Sequence, residues 1–153
     1  MPGCKYIKMH TGQKFYFPGI TIDVLFTHED IAPGYMYELN NALDTVFMLT
    51  VNGNAERKDY KFLMINDYTE EGSDAVAAAW GNELKCDVVQ LGHHTGGGSV
   101  ALYEFADAPL CLCTDHERGY TEGWGHDTAA AIWAKENMEW ILEHEGNYTF
   151  WFD

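Results

Sequence analysis

The chain has 153 residues, of which 46% are hydrophobic and 14% aromatic, so it can build the core of one domain and is not a disordered segment. Its 24 acidic residues outweigh 9 basic ones for a formal net charge of −15, which disfavours non-specific nucleic-acid binding, because phosphate backbones need Lys and Arg to displace their counterions. The opening stretch MPGCKYIKMHTGQKF has no apolar signal-peptide region and no apolar run reaches the length of a membrane span, so the expectation is a cytoplasmic protein with no membrane partner.

Read from the start, QKFYF, the turn Pro18-Gly19 and the alternating ITIDVLFT predict a hairpin. The segment EDIAPGYMYELN is a loop punctuated by Pro33-Gly34. ALDTVFMLTV and YKFLMIN predict two strands around the polar connection NGNAERKD. The rhythm then changes. Ser73 is placed to cap a helix over DAVAAAWGNEL, CDVVQLG is a short apolar strand, SVALYEFADA a helix and PLCLCTD a further strand. Asp127 or Thr128 opens the longest predicted helix, which runs through AAAIWAKENMEWILEHEG to Gly146, and NYTFWF closes the chain as a strand. Meandering strands followed by strand-helix alternation predict a layered α/β (α+β) architecture, with no linker to divide residues 1–153 into more than one domain. Cys111 and Cys113 share one face of their strand, a placement that suits reduced core thiols better than a disulfide. Cys4 and Cys86 stand apart from them, and no C-x-x-C pair occurs.

Four places put metal-capable groups where apolar strands end. Asp67 leaves the strand KFLMIN; its carboxylate either faces a cleft or caps the following turn. His93 and His94 follow DVVQLG and precede Gly96, Gly97 and Gly98. Imidazole is the commonest nitrogen ligand for zinc and similar ions. In an extended segment, adjacent side chains point to opposite sides, so one of the two histidines would meet a metal while the other packs or binds substrate. The three glycines would let backbone approach a ligand or move. The loop DHERGYTEGWGHD carries His116 and His126 with Asp115, Glu117, Glu122 and Asp127. FTHEDIAP carries His28, Glu29 and Asp30 and reads as a solvated loop. The sequence holds no phosphate-binding lysine loop, no G-x-S-x-G, no H-E-x-x-H and no G-x-G-x-x-G.

The order NNALDTVFMLT, KFLMINDYTEEGSDAV, CDVVQLGHHTGG and GHD resembles the metallo-β-lactamase fold, and more narrowly its ComEC-type hydrolase branch, related to the domain attached to bacterial DNA-uptake channels. The resemblance runs from about Gly12 to the end. It implies the C-terminal half of an αββα sandwich in a metal-dependent hydrolase of phosphoester or related ester bonds, with zinc or manganese in the complete domain. It also implies that Asp67, His94 and His126 bind metal, and that His93 and His94 form the catalytic rim. Thr95 and Gly96 stand where that branch carries glycine and serine, and GHD replaces its GHP. The family's first ligand motif, H-x-H-x-D-H, does not occur in these residues. The expectation is therefore a half-domain, inactive alone, whose partner is a missing N-terminal half or a second copy in a homo-oligomer. The other expectation is a degenerate binding or assembly module that self-associates. Either way, one sheet face should be apolar and in need of cover.

Overall fold

The computed structural model describes residues 5–27, 44–114, 126–142, 146 and 148–149. Seven strands form one mixed sheet in sequential order: β1 (Lys14–Phe17), β2 (Ile20–Phe26), β3 (Val46–Val51), β4 (Tyr60–Met64), β5 (Val88–Gln90), β6 (Leu110–Cys113) and β7 (Glu139–Leu142). β1 to β4 pair antiparallel, and β4 to β7 pair parallel. Three helices fill the parallel connections: α1 (Glu70–Trp80), α2 (Val100–Ala106) and α3 (Ala129–Asn137). The architecture is α+β, as the strand-then-alternation pattern predicts.

The change from antiparallel to parallel follows from connection length. Phe17 pairs with Ile20 across Pro18-Gly19, and Gly19 adopts φ +78°, a conformation open to glycine in such a turn. The β3–β4 connection is closed by Asn54, whose side chain accepts from the backbone of Glu56 at 2.8 Å and Arg57 at 3.1 Å. After β4 each connection is long enough to hold a helix. Each crossover steps one strand further in the same direction, and such right-handed units put every helix on one face. The core confirms it. Met48, Leu63, Val89 and Cys111 of the sheet cluster with Val76 of α1, Tyr103 of α2 and Ala130 and Ala134 of α3.

Helix ends follow local chemistry. Thr69, not Ser73, caps α1, accepting from Gly72 N. Ser73 lies one turn inside and is buried, because the helix extends over the acidic pair Glu70 and Glu71, which favours an N-terminus. Ser99 caps α2 through Leu102 N, and Thr128 caps α3 through Ala131 N, both at 3.2 Å. The long final helix is a correction. It stops at Asn137, and Glu139–Leu142 leaves it to pair with β6 as a parallel strand. Trp140 and Leu142 thereby reach the helix-side core while Ile141 turns to the other face, an i, i+2 pattern overlaid on helix-forming residues. Most of the predicted closing strand NYTFWF, the predicted loop EDIAPGYMYELN and Cys4 lie outside the described residues. Cys86, Cys111 and Cys113 are buried and unbridged, as expected of core thiols.

Among the described residues, no helix is long and apolar enough to cross a membrane.

Candidate functional site

Asp67 and His93 follow β4 and β5, at the carboxyl ends of two parallel strands, and His126 lies two residues before the Thr128 cap of α3. In open parallel sheets this is the end where ligand crevices form. The β4 and β5 ends therefore bring Asp67 and His93 to one rim of the sheet.

Asn66 organises that rim. Its side-chain NH2 donates to the Thr45 carbonyl at 2.7 Å, and its backbone N–H donates to Gln90 Oε1 at 3.1 Å. Its own carbonyl accepts from His93 N at 3.0 Å. One residue thus ties the entry to β3, the end of β5 and the histidine segment together. Its φ is +51°, a left-handed conformation that asparagine tolerates better than most residues. Next to it, Asp67 N–H donates to Asp44 Oδ2 at 2.9 Å, so a second carboxylate stands beside Asp67, and both residues are half-buried.

The histidine segment is not extended. His93, His94 and Thr95 have φ of +43°, +50° and +76°. They make a left-handed turn closed by Gly96 N donating to the His93 carbonyl at 2.9 Å. The expectation that the two rings point to opposite sides is corrected: their centroids are 6.0 Å apart, tilted by 52°. His94 is exposed, His93 half-buried and Thr95 buried. Three successive non-glycine residues in this region cost on the order of 1–3 kcal/mol each, and such strain persists only where surrounding structure over-determines it.

The surrounding structure is compact. Tyr103, fully buried on α2, accepts from Gly92 N at 3.2 Å and donates to the Gly97 carbonyl at 3.2 Å, pinning both ends of the turn. Burial pushes its hydroxyl well above the ordinary tyrosine range, against the opposing pull of the Gly92 N–H, so it remains a neutral donor. Gly98 N donates to the Tyr68 carbonyl at 3.1 Å. The glycines serve this packing: a Cβ at Gly97 would lie 2.4 Å from Tyr68 O, and one at Gly98 2.1 Å from Tyr103 Oη. They close the turn onto the protein's own backbone, so the expected mobile or ligand-approaching loop is replaced by a fixed one. Sequence reasoning missed Asp44, Asn66 and Tyr103. A tyrosine four residues after the Ser99 cap, on the helix that follows the glycines, is the only signal that pointed to the third.

His126 is half-buried before the α3 cap, and its carbonyl accepts from Lys135 Nζ at 3.4 Å. His28, Glu29, Asp30, Asp115, His116, Glu117 and Glu122 lie outside the described residues. Among the described residues, no three His, Cys, Asp or Glu side chains gather as metal ligands. Asp67, His94 and His126 do not form a metal cage among themselves.

A cleft of about 250 Å³ lies away from this rim, where α1 ends over the antiparallel strands, and is lined in part by Lys14, Asp23, Lys61, Trp80 and Lys85. Lys14 is bonded to Asp23, and Lys85 to Asp107 at 2.5 Å, so two of its cations are already neutralised. Hydrogen bonding to Asp23 raises the Lys14 ammonium above its usual value.

No protein-family profile and no curated protein sequence matches this chain.

Proposed function

We propose that the chain forms one sheet-and-helix layer of a metal-dependent hydrolase of the metallo-β-lactamase kind, acting on phosphoester or related ester bonds. The observation that carries the reading is the Asn66 brace, which holds the Asp67 segment and the strained His93–His94 turn together at the carboxyl ends of β4 and β5. Strain held by buried hydrogen bonds is a mark of functional segments.

The described donors do not fit a complete metal centre, since a hydrolytic two-metal site needs more ligands than they gather. In this reading the remaining ligands come from the other layer, and Asp67, His94 and His126 add to them. What the residues here supply on their own is narrower. The exposed His94 imidazole can take or give a proton at a bound ester. Asp67, whose backbone N–H is held by the Asp44 carboxylate, can offer its own carboxylate to orient a donor group.

The test is zinc and manganese affinity by chelator competition for the wild type and Asp67→Ala. The expected result is weak binding that falls at least about tenfold in the variant, the scale at which even outer-shell partners act. Equal affinities would remove the metal reading. A non-catalytic assembly module would then be left.

A further inference from the structure

The cleft of about 250 Å³ is the step where the helix layer stops and the sheet continues. α1 ends at Trp80, and the chain leaves it through a single 3-10 turn over Gly81–Leu84. By strand register Lys14, Asp23 and Lys61 stand on the sheet wall of the cleft, and Trp80, Asn82, Glu83 and Lys85 line it from the helix side. Trp80 is half-buried, and its indole N–H already donates to the Leu25 carbonyl at 2.7 Å. What it presents to the cleft is therefore ring surface, not a polar group. The rim carries charge of both signs. Lys14 is bonded to Asp23 and Lys85 to Asp107, while Lys61 and Glu83 line the cleft with no ion pair of their own among the described residues. Asn82 adds an amide, which both donates and accepts.

We propose that this cleft binds a neutral sugar ring, with one face of the ring against Trp80 and its hydroxyls bonded to Lys61, Glu83 and Asn82. Charge makes the selection. An anion would meet the field of a molecule of net charge −15, and Asp23 and Glu83 in the cleft itself. A cation would meet the ammoniums of Lys14, Lys61 and Lys85. A hydroxyl meets neither cost, because the same oxygen accepts from an ammonium and donates to a carboxylate. The ion pairs point the same way. An ammonium has three donors, so Lys14 and Lys85 keep donors for a hydroxyl while bonded to Asp23 and Asp107, whereas a charged ligand would compete with those partners. The indole supplies the remaining match: a pyranose presents C–H groups on one face, and these lie against the electron-rich face of an aromatic ring. Size sets the limit. About 250 Å³ is less than the roughly 300–1,000 Å³ of pockets for drug-sized ligands, so the cleft takes one ring and leaves the rest of any longer saccharide outside. The proposal does not rest on the hydrolase reading, since Asp67, His93, His94 and His126 take no part in this cleft.

Heteronuclear NMR on the full chain tests this, with the methyl glycosides of glucose, galactose and N-acetylglucosamine as separate probes. The expected result, for at least one of them, is a saturable shift of the Gly12, Gln13 and Asn82 amides and of the Trp80 indole N–H, with the Asp67, His93 and His94 amides unmoved. Affinity is the same at low and high salt, because the ligand carries no charge to screen. Lys61→Met weakens binding about tenfold, the scale of one hydrogen bond to a charged group. Trp80→Leu abolishes it, while Glu104→Gln, at an exposed position on α2, leaves it intact. Should Trp80→Leu fail to fold, Lys61→Met and Glu83→Ala, both at exposed positions, carry the test. Three outcomes would overturn the proposal. They are no saturable shift with any of the three glycosides, shifts indifferent to these cleft substitutions, or tighter binding at the same amides by phenyl phosphate, phenethylamine or phenylalanine. The last would assign the cleft to a charged ligand. None of these bears on zinc or manganese affinity, and a metal affinity that ignores Asp67→Ala would remove the hydrolase reading while leaving the cleft.

Discussion

The two faces of the sheet use similar hydrophobicity to different ends. The helix-side face is built from medium and small residues, including Val46, Met48, Leu63, Cys111 and Cys113, matched to the alanines Ala77, Ala106, Ala130 and Ala134 of the helices. Small residues let helices lie close, and these five sheet positions are buried beneath them. The opposite face carries Phe47, Leu49 and Met64, larger groups that reach outward and stay half-buried. The same face also buries Val24, Val88 and Ile141, so its apolar residues are sealed unevenly.

Truncation should separate the faces most strongly. Leu63→Ala is expected to destabilise by about 2–5 kcal/mol at any protein concentration, because it opens a cavity in a closed core. Leu49→Ala should cost less, because its half-buried side chain leaves no closed cavity behind. Urea unfolding measures both, and equal losses would break the comparison.

A glycine pair sharpens it at the helix-side rim. Gly98 (φ +79°) and Gly12 (φ +84°) share a backbone conformation, but a Cβ at Gly12 meets nothing within 4 Å, whereas one at Gly98 strikes Tyr103 Oη. Gly12→Ala should cost about 1 kcal/mol for the left-handed backbone alone, and Gly98→Ala about 3 kcal/mol, with crowding added. Thermal unfolding reads the difference. Tyr103→Phe should cost about 1–3 kcal/mol, since it strands the buried Gly92 N–H and Gly97 carbonyl. It should also broaden the His93 and His94 resonances in NMR spectra as the turn loosens.

The smallest effect at neutral pH belongs to Cys86. Burial pushes its thiol from 9.0 to about 12. Below pH 9 both folded and unfolded states keep the proton, so stability does not change. Between about 9 and 12 only the unfolded state loses it, so stability falls as pH rises. Urea midpoints should decline over that window in the wild type and decline less in Cys86→Ala. A thiol reagent at pH 8 should find Cys86 slow to react until the chain unfolds.

The sequence by itself determined whatever depends on neighbours in the chain. The Pro18-Gly19 hairpin, the Thr128 cap and the shared face of Cys111 and Cys113 are set by local backbone preference and side-chain period, and each is found. Asp67 and His93 at strand ends were legible for the same reason. Tertiary structure decided the rest. Glu139–Leu142 became a strand because pairing with β6 offers hydrogen bonds and burial of Trp140 that an isolated helix end lacks, so long-range contact overrode local propensity. The left-handed turn at His93–Thr95 could not be read from its residues, because none of them favours it. It exists because Asn66, 27 positions before His93, and Tyr103, on the following helix, hold it at both ends, and only folding brings those groups to one place.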